Sequence, residues 1–328
     1  MLEELFDKTT SLLDRNFLLA YWFPVITVFG FATLARVWIL GWPQTLTWLQ
    51  HDFMINSSDG GSSPLIGALV GFFITTIVFA YILQAFTRPI IRFFEGYWPV
   101  GIRNIIRDFP FGEKNRWRRL RSEKDEAHSK KDWQHFGPIQ MELYYNFPSK
   151  ENLLLPTRLG NTIRAAEDYS TEIYGMSSVF WWPRLWPLLP KKVKDEINES
   201  LIPLLTLLNL ATLLSLFSIS CSVYLAWIGL NFQAFIILVA GIGAGLLCYR
   251  GAVAQSRSYG EKIRSAIDLY RFRLLKAMHQ QLPKNLEEEI GGWNNLFKWL
   301  YYSDRGSVTG MNYNYKKEKE DKEITKPS

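Results

Sequence analysis

Few residues in this chain are of types and spacings that carry a reaction. His128 and His135 sit seven apart in a charged stretch, and no His-Glu-x-x-His or closely spaced cysteine pair accompanies them, so a zinc site has no support. Cys221 and Cys248 both lie in long apolar runs, which argues for packing rather than a disulfide framework or thiolate ligation. Glu167 and Asp168, with Arg158 and Arg164 nearby, form the one acid-base cluster of interest. Adjacent helical residues point about 100° apart, so surface ion pairing is the better reading and no catalytic residue is assigned. Gly241, Gly243 and Gly245 imitate half of a dinucleotide fingerprint, but no strand precedes them. No Walker loop, nucleophile elbow or kinase signature occurs. No cofactor or metal ion is implied, and the expectation is a non-enzymatic protein.

The polar residues that do recur lie where water should be scarce. From Leu201 to Tyr249 there is no Asp, Glu, Lys or Arg. As one helix this run would reach roughly 74 Å, against a hydrocarbon core of about 30 Å, so it must fold back once, with Gly229-Leu230-Asn231 as the corner. Thr212, Ser215, Ser218 and Ser222, preceded by Thr206 and Asn209, recur at three- and four-residue steps on its first arm. Such a seam could line water in a pore or make helix packing contacts, and packing is the commoner use. Gly241 and Gly245 form a small-xxx-small pair that lets another helix approach closely.

Two further apolar stretches come earlier. Phe17 to Leu40 is interrupted only by Arg36, and Pro64 to Phe86 is uncharged. The expected fold is therefore all-α: a polytopic membrane protein with four transmembrane helices in two hairpins and a mainly helical cytoplasmic module. The boundaries expected are an amphipathic segment at 1–16, a first hairpin at 17–87 with its outer loop at 41–63, and a cytoplasmic module at 88–200. A second hairpin at 201–249, a helical extension packing on the module at 250–310, and a disordered charged tail at 311–328 complete it. The segment between the first two apolar runs and the corner of the last contain no Lys or Arg, whereas cations crowd the other flanks. The positive-inside rule then puts both termini and the module in the cytoplasm.

The net charge of +6 needs no nucleic acid, because basic residues flanking spans meet anionic lipid. Glu113 to Asp132 mixes many cations with acids and reads chiefly as a solvated helix. Arg88 and Arg92 follow the second apolar run beside bulky apolar residues, as an elbow entering the headgroup layer would. Trp181, Trp182 and Arg184 lie in a run of three tryptophans and three prolines that a long helix cannot cross, and the expected place for it is also the membrane interface. All five are candidate headgroup contacts. Thr157 to Tyr174 has helical periodicity, with Gly175 as its stop.

The runs Leu155-Pro156-Thr157-Arg158-Leu159-Gly160-Asn161 and Arg164-Ala165-Ala166-Glu167-Asp168-Tyr169, with Trp182-Pro183-Arg184-Leu185 and Asp268-Leu269-Tyr270-Arg271, resemble uncharacterised bacterial multi-pass membrane proteins. The resemblance falls mainly within residues 152–275. It implies a bacterial inner-membrane location and supplies no activity. The function expected from these features is an oligomeric channel or pore-type effector gated by the cytoplasmic module, and the alternative is a membrane anchor or scaffold for a cytoplasmic protein partner. Membrane lipids and further copies of the chain are the other expected partners.

Overall fold

The computed structural model describes residues 15–44, 47, 63–108 and 112–302. The expected amphipathic leader (up to residue 14), most of the 41–63 loop and the 311–328 tail lie outside the described residues. Among those described, every regular element is helical.

Helix α1 (Arg15–Leu40) is long and apolar enough to cross a membrane. Its first part contains a π-helical turn at Leu18–Trp22, directly before Pro24. Helix α2 (Ser63–Ala85) runs into α3 (Thr87–Glu95) and α4 (Val100–Asp108). The axes of Leu69–Ala85 and Thr87–Ile102 differ by 52°. After α5 (Glu113–Ser129) and α6 (Trp133–Asn146) come α7 (Arg158–Tyr174) and the short α8 (Ser178–Leu185). Then follow two helices of spanning length and hydropathy, α9 (Lys191–Trp227) and α10 (Asn231–Ala277), and finally α11 (Leu286–Tyr302). Among the described residues there are thus three helices long and apolar enough to span a bilayer, or four when the bent pair Leu69–Ala85 and Thr87–Ile102 counts as one.

The α9–α10 hairpin is the spine. It turns at Gly229, whose φ of +85° suits a residue without a Cβ. α10 continues for 47 residues, far beyond what a bilayer requires, and its distal half enters a separate aromatic core. There Ile267 and Leu274 meet Trp181 and Leu185 of α8 and Trp293 and Leu296 of α11. A second cluster joins Leu159 of α7, Leu204 and Leu208 of α9, and Ala252 of α10, with Ile90, Ile91 and Phe94 of α3 against it. α3 is therefore amphipathic: Ile90, Ile91 and Phe94 face this cluster, while Arg88, Arg92 and Phe93 are exposed.

Trp181 corrects the expectation placed on it. It is fully buried, with its ring 5.1 Å from that of Trp293, so it cannot meet lipid headgroups. The proline-rich segment forms α8 and the 3₁₀ turn Trp186–Leu188, which is compact enough to tuck under α11. Trp182 is half-buried against Trp186, and Arg184 is exposed but lies over the Phe180 ring.

α1 joins the spine through backbone repair. Pro24 has no N–H, so it cannot serve the carbonyl of Ala20 four residues back or that of Leu19 five back. Those two carbonyls instead accept from α9, Ala20 from Asn209 Nδ2 at 2.7 Å and Leu19 from Thr206 Oγ1 at 3.0 Å. Asn209 and Ala20 are both buried. Losing a buried hydrogen-bond partner costs about 1–3 kcal/mol. Asn209→Ala should therefore lower the thermal unfolding midpoint in detergent. In a Pro24→Ala background, where an N–H is restored, the same substitution should lower it less, and equal losses in both backgrounds would refute the repair.

Candidate functional site

Two constellations stand out: the polar seam of α9, and the junction where α3 meets α7. The seam faces the chain's own helices. Ser218 is buried, and a Cβ built on Gly241 would lie 2.6 Å from its Oγ, closer than real Cβ contacts come. A Cβ on Gly245 would lie 2.6 Å from Ser215 Oγ, whereas Gly243 has open space. The two serines thus sit in notches left by the two glycines, one turn apart on each helix. Ser218 and Thr212 also donate to carbonyls of their own helix, Ser215 O and Leu208 O, which satisfies each hydroxyl without water. Thr212 and Ser222 are half-buried.

The α3–α7 junction is built from the Leu155 to Asn161 run. Asn161, fully buried, closes a two-bond ring on the Leu155 backbone, accepting from its N–H at 2.7 Å and donating to its carbonyl at 2.9 Å. Thr157 caps α7 by accepting from Gly160 N at 3.0 Å. Gly160 then lies directly under the Glu95 carbonyl, its would-be Cβ 2.9 Å from the Glu95 carbonyl carbon. Gly96, at φ +88°, ends α3 and lies against Pro156, 2.5 Å from that ring's Cγ to an ideal Cβ. Tyr249 of α10 accepts from Leu159 N at 3.3 Å through its hydroxyl oxygen. α3 and α7 meet backbone to backbone here, and α10 joins them through the Tyr249 hydroxyl.

Around this junction the charged side chains pair with one another. Arg158 reaches Glu113 at 3.1 Å; Glu113 also pairs with Arg116, which pairs in turn with Glu142. Arg257 of α10 donates to Asn146 Oδ1 at 2.7 Å and lies 3.9 Å from Glu142. This chain ties α7, α5, α6 and α10 together. In α5, Arg118 and Lys114 meet Glu151 and Arg119 meets Glu123, while Lys130, just past its end, meets Glu126, so many of these cations are already engaged. Glu167 and Asp168 diverge: the first pairs with Arg164 at 3.0 Å, the second accepts from Ser149 N and Oγ.

Beyond the junction a cleft of about 330 Å³ opens between α5, α6 and α7, with Trp117, Tyr144, Asp168 and Tyr169 in its wall. Arg264 lies at its base, 2% exposed, with its guanidinium 4.2 Å from the Tyr144 ring and a bond to the Tyr144 carbonyl at 2.8 Å. Tyr169 and Tyr174 both donate to Asp268. Burial, reinforced by those bonds, pushes both phenols above the ordinary tyrosine pKa, so they remain protonated donors. Arg271 and Glu289 form a buried pair at 2.7 Å beside them. His135 pairs with Asp132 on the surface, and His128 packs against Trp133 and Phe136. Cys221 and Cys248 are half-buried free thiols.

Sequence reading found the seam and the glycine pair but gave no partner for Thr206, Asn209, Arg264 or Asp268. The proline inside an apolar run was the available signal for Asn209, because it announces carbonyls in need of a donor. The cage around Arg264 had none.

Among the described residues this arrangement defines an all-helical protein with three or four candidate membrane spans, joined through a shared helix to a polar, aromatic-cored module. No family model, curated protein or solved structure matches the chain.

Because backbone cannot give way as a side chain does, Gly160→Ala should destabilise the protein by about 1–3 kcal/mol. Gly243→Ala, with nothing within 4 Å, should be close to neutral. Thermal unfolding of the two variants in detergent checks this, and equal midpoints would contradict the close approach.

Proposed function

We propose that the chain is a multi-pass bacterial inner-membrane protein, with both termini and the helical module in the cytoplasm, that acts without catalysis as a membrane anchor presenting the module to a protein partner. One observation carries the choice of anchor over channel. The polar groups of α9 best suited to line a pore already have partners within the chain, Thr206 and Asn209 on α1 and Ser215 and Ser218 against the glycines of α10. A hydroxyl held in a glycine notch supports packing and offers little to a passing ion. The distribution of Lys and Arg supports the orientation.

The channel reading keeps a narrower basis. Thr212 and Ser222 are half-buried, so a homo-oligomer could bring them to a shared axis, with the module acting as its gate through α10. Reconstitution separates the two. Proteoliposomes carrying the purified protein should release a trapped potassium-sensitive dye signal no faster than empty ones. Flux above that background, abolished by Thr212→Val with Ser222→Val, would replace the anchor with a channel. Reporter fusions after residue 150 and after residue 302 should both be active only in the cytoplasm.

A further inference from the structure

Among the described residues, α3, α4 and the link between them leave large apolar side chains exposed. Phe93, Tyr97, Val100, Ile102, Ile105 and Ile106 are all exposed, Ile105 by 70% and Val100 by 63%. Elsewhere α3 obeys the solubility rule, with Ile90, Ile91 and Phe94 packed on the α7–α9–α10 cluster. Six large apolar residues exposed on two consecutive helices and the link between them mark an interaction site.

What covers that surface follows from where it lies. α3 begins two residues after the uncharged α2 ends, across the 52° bend, so the two helices turn away from the span axis at its end. Amphipathic helices in that position lie in the plane of the interface, with their apolar residues at the headgroup and acyl boundary. The exposed cations of α3, Arg88 and Arg92, occur i and i+4 on one face and complement lipid phosphates. Neither has a carboxylate among the ion pairs of the described residues, unlike most cations of α5. The bend also closes an apolar groove of about 430 Å³ between α1, α2 and α9, with Phe86 and Ile90 in its wall, a shape that suits an acyl chain.

We propose that α3 and α4 form a membrane-surface element that binds anionic phospholipid, with Arg88 and Arg92 on the headgroup phosphates and the apolar residues of α4 in the acyl boundary. This rests on the reading that the apolar helices span a membrane. Through Glu95 and Gly96, which press on Gly160 and Pro156, the lipid-bound element fixes the start of α7 and hence the orientation of the module above the bilayer.

The test uses the full chain with its two cysteines replaced (C221A and C248A), spin-labelled at single sites and held in nanodiscs of phosphatidylcholine with or without phosphatidylglycerol. Three positions are compared: I105C, the exposed V223C on α9 as lipid reference, and the exposed E126C on α5 as water reference. The I105C label should be relaxed by oxygen as the V223C label is, and shielded from a water-soluble nickel chelate that reaches E126C. Phosphatidylglycerol should raise the unfolding midpoint by several degrees, and R88Q with R92Q should remove that rise. Chelate access at I105C equal to that at E126C overturns the proposal. So does a label reached by neither reagent, which would mean a second protein surface covers it, and so does a midpoint rise that survives in R88Q/R92Q. Loss of oxygen access at V223C would instead defeat the membrane reading itself.

Discussion

A peptide group removed from water must find its hydrogen bond inside the protein, and the structure depends on how that demand is met at Pro24. The proline breaks the ladder of α1 where the backbone is buried, and the π turn beside it widens the break. Two carbonyls are left to α9, and Asn209 and Thr206 supply the donors. An amide in an apolar helix would ordinarily be a liability. Here it is the complement of a defect in another helix, and the pairing fixes both the register and the rotation of α1 against the spine.

Rotation set at one face of α9 determines what its other faces can do. With Asn209 turned to α1, Ser215 and Ser218 turn to α10 and settle against Gly245 and Gly241. Small residues on one helix and hydroxyls on the other let the backbones come close, which favours dispersion between the two helices. The hairpin becomes a stiff rod. Because α10 runs on without a break into the aromatic core, the rod also carries the module.

The module is held to that rod by two different kinds of contact. Trp181, Trp293, Ile267 and Leu274 exclude water at the distal end. Nearer the apolar helices the joint is polar and made of backbone, with Asn161 folded onto Leu155, Gly160 under Glu95, and the pairs from Arg158 through Glu113 and Glu142 to Arg257. Close backbone contact tolerates little movement, so α3 and α7 are held together as one piece, to which α10 is tied through Tyr249 and Arg257. A protein organised in this way holds a surface at a fixed attitude, which suits an anchor.

Much of this was legible in the sequence, because it depends on local composition. Uncharged runs such as Leu201 to Tyr249 declare apolar helices, Gly229 permits the sharp reversal between α9 and α10, and Thr157 and Gly175 bracket α7 by capping. Periodicity also showed that Thr212, Ser215, Ser218 and Ser222 share a side of their helix. Spacing gives a side, however, and not what stands opposite. Asn209 and Ala20 are 189 residues apart in the chain, and Arg264 and Tyr144 are 120 apart. Trp181 read as an interfacial aromatic because its neighbours are prolines and tryptophans; α11 and the distal half of α10, which follow far along the chain, bury it. Composition settled which segments leave water, since transfer free energy is summed residue by residue. Tertiary packing alone decided which polar group answers which, since a hydrogen bond depends on two atoms meeting.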